Sequence, residues 1–71
     1  MTASDLLGRL RRLATRRGWP IREEQGKGSH LKVWLNGKRT VIPMHGGDLA
    51  PGTFHKITRK DLELTSSDLE V

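Results

Sequence analysis

Three features of the chain predict an α+β fold in which a three-stranded antiparallel sheet carries two helices on one face. Apolar residues recur at three- and four-residue spacing near the start, alternate with polar residues in the middle, and regain helical spacing near the end. Between the two alternating runs stands Asn36-Gly37, the strongest short hairpin signal. At 71 residues with 34% hydrophobic side chains, the chain is expected to form one small domain, residues 1–71, around a small core.

The first helix opens at Thr2 or Ser4, with Asp5 as the acidic residue of a cap. Leu6, Leu7, Leu10, Leu13 and Ala14 form its apolar stripe. Arg9, Arg12 and Arg16 share another face, flanked by Arg11 and Arg17, and Gly18 supplies the stop. Residues 19–24 form a weak strand, because Pro20 cannot donate to a ladder and must start it or lie on an edge. A glycine-rich turn, residues 25–29, follows.

The runs from His30 to Leu35 and from Lys38 to Pro43 then make the hairpin, and its two-residue turn fixes the register. Leu35 pairs with Lys38, Trp34 with Arg39, Val33 with Thr40, and so on to His30 with Pro43. Leu31, Val33, Leu35, Thr40 and Ile42 therefore face the core, while His30, Lys32, Trp34, Arg39 and Val41 face away. After a loop at residues 44–50, a second helix opens near Pro51 and runs to about residue 60 with Phe54 and Ile57 inward. Leu62 and Leu64 pack as the chain leaves it, and residues 65–71 form a last capped turn or fray.

The charge is lopsided. The net of +5 divides into +7 over residues 1–39 and −2 over residues 40–71. Such asymmetry points to a polyanion-binding surface on helix 1 and the hairpin. There is no cysteine, and the three histidines lack metal-ligand spacing, so no metal and no cofactor are expected. No apolar run approaches the roughly 20 residues of a membrane span, so the expectation is a cytoplasmic protein that meets no membrane.

What remains is a histidine on a basic surface. RNA carries its own nucleophile, the 2′-hydroxyl, so cleavage needs only a base for that proton, charge for the phosphorane, and an acid for the leaving 5′ oxygen. An imidazole can serve as either proton carrier near neutrality. Lys27, Lys32 and Arg39 offer charge, the backbone N–H groups of residues 26–29 can line a phosphate, and Trp34 can stack on an unpaired base. His45 lies just past the end of the hairpin that begins at His30 and is a candidate auxiliary acid. From these residues alone the reading stops at a small basic module that binds RNA.

Three motifs carry it further. Gly28-Ser29-His30 opens the second strand, Val41-Ile42-Pro43-Met44-His45 closes the third, and Leu49-Ala50-Pro51-Gly52-Thr53-Phe54 opens the last helix. Together with Arg16-Arg17-Gly18-Trp19 they resemble the HicA family of mRNA interferase toxins, over about residues 6–65. The resemblance implies a double-stranded-RNA-binding-like α-β-β-β-α fold and metal-independent cleavage of mRNA. It further implies His30 as the catalytic residue, with Gly28 and Ser29 completing its motif. The implied partner is a HicB-like antitoxin that covers the active face, for which Trp34 is the expected anchor. Leu31 stands where many members have a second histidine, and Lys60-Asp61-Leu62-Glu63-Leu64 departs from the family's Lys-x-Ala-Gly-Leu-like ending. Two rivals stay open: a non-catalytic RNA-binding module of the same fold, and a protein-interaction domain whose basic helix meets an acidic partner.

Overall fold

The computed structural model describes residues 1–69. Helix α1 spans Ala3–Arg17, strands β1, β2 and β3 span Ile21–Gln25, His30–Leu35 and Lys38–Pro43, and helix α2 spans Pro51–His55. A π-helical segment, Lys56–Asp61, continues α2, and a single turn of helix, α3, covers Ser66–Leu69. The helices and the core lie on one face of an antiparallel sheet ordered β1-β2-β3, so the α+β expectation holds. No described helix is long and apolar enough to cross a membrane.

Thr2 resolves the start of α1. Its hydroxyl accepts from the Asp5 N–H, and the Asp5 carboxylate accepts from the Thr2 N–H, a reciprocal cap. At the other end Gly18 adopts a left-handed conformation, and the N–H of Trp19 reaches back to the Ala14 carbonyl. The predicted stripe is buried: Leu6, Leu7, Leu10, Leu13 and Ala14 join Val33, Leu35, Ile42, Ile57, Leu62 and Leu64 in one cluster.

The hairpin register is as the turn dictates, from Leu35 opposite Lys38 to His30 opposite Pro43. Asn36 and Gly37 both have positive φ (51° and 79°), the primed geometry that matches strand twist. Strand β1 is shifted from its expected span of 19–24, beginning at Ile21. Pro20 stays outside the strand, yet its carbonyl accepts from the Asn36 N–H and so extends the pairing by one bond.

The second helix departs from expectation. It is α-helical only to His55, then widens into the π-helical segment. The reason is visible in the side chains. Ile57 is buried, and α-helical spacing would bring Asp61 to the same face, whereas the apolar residue is Leu62. Widening the turn by one residue buries Leu62, whose N–H donates to the Ile57 carbonyl five residues back. Asp61 then lies at the rim, where its carboxylate accepts from the buried Thr40 hydroxyl at 2.9 Å and from Lys56 at 3.0 Å. Lys56 first, opposed by burial and aided by Thr40, holds that carboxyl below the usual range. The last turn is capped by Thr65 and Asp68, which exchange two bonds. Residues 70 and 71, the end of the expected turn, lie outside the described residues.

Candidate nucleic-acid interface

Burial of Val33 and Leu35 turns their neighbours outward, so β2 presents His30, Lys32 and Trp34 on the face the helices leave open. Strand β3 adds Arg39 and Val41. Strand β1 adds Arg22 opposite Trp34 and Glu24 opposite Lys32. Trp34 is half-buried between its two cross-strand neighbours. The Arg22 guanidinium carbon lies 4.1 Å from the ring centroid, and that of Arg39 lies 5.9 Å away. Each such contact is worth about 0.5–1 kcal/mol at an exposed site. Glu24 approaches Arg22 and Lys32 only to 3.9 Å, too loosely to silence either cation. The face thus keeps a positive excess.

His30 sits at the end of this face, the first residue of β2 after a glycine-rich turn. Gly28 enters the turn with φ 63°, a conformation that favours glycine. A Cβ on Gly26 would stand 3.0 Å from the His30 carbonyl oxygen, which already accepts the Gly26 N–H at 2.8 Å. That bond takes Gly26 out of the expected run of phosphate-facing N–H groups and leaves residues 27–29 for the purpose. The Gln25 side-chain amide braces the turn by donating to the carbonyls of Gly28 (3.0 Å) and His30 (3.4 Å).

The Lys27 carbonyl lies 3.2 Å from both the His30 N–H and its Nδ1. A carbonyl only accepts, so Nδ1 carries a proton and Nε2 keeps its lone pair in the neutral ring. The Ser29 carbonyl accepts from the Met44 N–H at 2.7 Å, which ties the turn to the end of β3. His45 comes next in the chain, exposed, with its Nδ1 3.1 Å from the Gly46 carbonyl. The Lys27 side chain is exposed beside the histidine turn. Among the described residues no group of three or more His, Cys, Asp or Glu side chains is placed to hold a metal ion.

Helix α1 tells a different story from the one its arginines suggest. Arg11 makes a bidentate bond to Glu23 of β1, at 2.7 and 2.6 Å. Arg17 pairs with the nearly buried Asp68 at 2.7 Å, and Arg16 and Arg9 reach the carbonyls of Asp68 and Leu69. Hydrogen bonding from Arg11 outweighs partial burial and holds the Glu23 carboxyl below its ordinary range. The Asp68 carboxyl is lowered by the Thr65 N–H above all, against burial, with help from the Thr65 hydroxyl and the two arginines. Much of the helix's positive charge is therefore structural.

The open face brings together His30, Lys32, Trp34 and Arg39 as expected. Two contributors escaped the sequence reading. Arg22 escaped because the turn before β2 does not fix register as Asn36-Gly37 does. Gln25 escaped because nothing in a sequence marks a side chain that braces a turn.

The family model described as "HicA toxin of bacterial toxin-antitoxin" matches residues 9–64, a span that includes all three strands and the histidine turn. The chain is also similar to a protein of Pseudomonas fluorescens (strain Pf0-1) named "Probable mRNA interferase HicA". The two are 70% identical over 23 residues, which is 32% of this chain and 38% of that relative. No solved structure matches the chain.

Proposed function

The chain belongs to the HicA toxin family of bacterial toxin–antitoxin systems, and on that premise we propose that it is a metal-independent mRNA endoribonuclease with His30 as its catalytic residue. The observation that carries this reading is the tethered imidazole. With Nδ1 held at the Lys27 carbonyl, the exposed ring leaves Nε2 as the nitrogen that meets substrate at the end of a cationic face. Nε2 takes the proton of the 2′-hydroxyl as that oxygen attacks the adjacent phosphorus. The bond from phosphorus to the 5′ oxygen breaks, and a proton returns to the leaving oxygen from His30 or from His45. The products are a 2′,3′-cyclic phosphate and a 5′-hydroxyl. Lys27 and Lys32 balance the phosphorane charge, Arg39 attracts the strand farther along the face, and the backbone of Gly28 and Ser29 borders the phosphate. The nucleophile belongs to the substrate, so no activated water and no metal are required.

A HicB-like antitoxin completes the proposal. It covers the open face with acidic groups and uses Trp34 as anchor, and toxin and antitoxin meet in the cytoplasm, where mRNA is translated. The test is cleavage of a defined RNA by the purified chain, with EDTA present. His30→Ala is expected to lower the rate by at least about 10²-fold, with the melting curve preserved because His30 is exposed. Normal cleavage by the folded variant, or a strict need for a divalent ion, overturns the mechanism. Antitoxin should shield His30 from diethylpyrocarbonate, and a complex that leaves it as reactive as before rules out masking.

A further inference from the structure

The open face carries a feature that phosphate binding does not require. Trp34 stands between the guanidinium groups of Arg22 and Arg39, on the same face of the same strand as His30. We propose that Arg22, Trp34 and Arg39 form a base-stacking subsite for an unpaired nucleotide, so that the substrate is single-stranded RNA held by a base a short, fixed distance from the cut. The proposal rests on the reading of His30 as the cleaving residue and adds to it where the strand is gripped.

Two observations favour an unpaired strand. A duplex hides the faces of its bases and shows phosphates, 2′-hydroxyls and base edges. An indole bordered by planar cations is instead suited to a base face, with guanidinium groups that can stack or contact phosphate. The other cationic surface, helix α1, has Arg11 and Arg17 already paired with Glu23 and Asp68, which leaves fewer cations there for a duplex backbone. The spacing is set by the strand. His30 and Trp34 are four residues apart on one face of β2, about 13 Å at the rise of an extended chain. An unstacked single strand covers that distance in roughly two nucleotides.

The experiment uses one oligonucleotide sequence in three forms: single-stranded, annealed to its complement, and single-stranded with one abasic site moved along it. Wild-type protein is expected to cut the single strand at least about tenfold faster than the duplex. An abasic site about two nucleotides from the cut should raise KM on the order of tenfold. Trp34→Ala should lose that sensitivity while cutting at the same bond, and Trp34→Phe should keep part of it. Equal cleavage of single strand and duplex, or an abasic penalty unchanged in a folded Trp34→Ala protein, overturns the subsite.

The same series is repeated as equilibrium binding to His30→Ala protein, which separates stacking from catalysis. A positional abasic effect on binding that disappears with Trp34 upholds the subsite even if no RNA is ever cut. RNA binding indifferent to Trp34, with antitoxin binding lost in Trp34→Ala, assigns the indole to the protein interface instead and overturns the proposal.

Discussion

Helix α1 and the open sheet face are both rich in cations, yet the two surfaces use them differently. On the helix, Arg11 and Arg17 are paired with carboxylates from other parts of the chain, and Arg9 and Arg16 reach the carbonyls of the last turn. Here guanidinium forks act as staples. On the sheet, Arg22, Lys32 and Arg39 surround an indole and share only the distant carboxylate of Glu24. A count of positive charge by sequence treats the surfaces alike. The helix keeps Arg12 exposed, while Arg11 and Arg17 are committed to carboxylates; on the sheet the three cations share one loosely held carboxylate.

The sharpest way to break this contrast is to vary salt. Raising it from about 50 to 200 mM should weaken RNA binding by some tens of fold if three or four sheet cations release counterions from a single strand. Replacing Lys32 and Arg39 by alanine should lower affinity and flatten the salt slope by roughly one to two. Arg11→Ala should leave the slope alone. A slope that follows Arg11 rather than Lys32 and Arg39 would invert the assignment, and filter binding or fluorescence anisotropy reads it directly.

A second test probes the histidine end of the open face. Gln25→Leu removes the amide that donates to the Gly28 and His30 carbonyls. The expected result is a fall in kcat on the order of tenfold with a smaller change in RNA affinity, because most of the sheet's cations, Arg22, Lys32 and Arg39, lie outside the turn. Equal loss in KM would place Gln25 in binding rather than in orienting the imidazole.

The stapled side should respond in stability. Asp68 caps Thr65 and holds Arg17, and it is nearly buried. Asp68→Ala should cost about 1–2 kcal/mol, a drop of several degrees in Tm for a domain of this size. The same change releases Arg17, so RNA affinity at low salt should rise slightly. Lower stability with unchanged affinity would show that Arg17 cannot reach RNA even when unpaired.

The smallest effect is the pH response. Glu23, Asp61 and Asp68 have carboxyl groups held below their ordinary range by the bonds they accept. Their contribution is fully present above the unfolded carboxylate range, near pH 4, and is lost as pH falls through the lowered native values. Thermal melts should therefore be flat above about pH 5 and decline below pH 4, and Asp68→Asn should shallow that decline. An unchanged slope in Asp68→Asn would remove Asp68 from the acid response.

Much of the site was legible before any coordinates. The turn Asn36-Gly37 fixed the pairing of β2 with β3, and pairing with period-2 alternation placed His30, Lys32, Trp34 and Arg39 on one face. The stripe of α1 was equally plain, since helical spacing depends only on neighbours three and four residues away. The nearest partner of Trp34 was not legible. Arg39 follows from the hairpin, but Arg22 stands closer, and its place depends on how residues 26–29 fold. The same turn decided the brace from Gln25 and the contact of the His30 Nδ1 with the Lys27 carbonyl.

Sequence by itself determined what local geometry determines: the first helix and its stop at Gly18, the hairpin and its register, the two faces of the sheet, and the motifs that mark the family. Tertiary structure decided the rest. It widened the continuation of α2 so that Leu62 rather than Asp61 reaches the core, and it chose which arginines are paired. The physical reason is range. A turn or a helical stripe is set by residues a few positions apart, whereas Arg17 and Asp68 meet with the whole sheet lying between them in the chain. Charge paired with a distant partner leaves no local trace in the sequence, and on this protein it separates a largely stapled helix from the sheet face proposed to bind RNA.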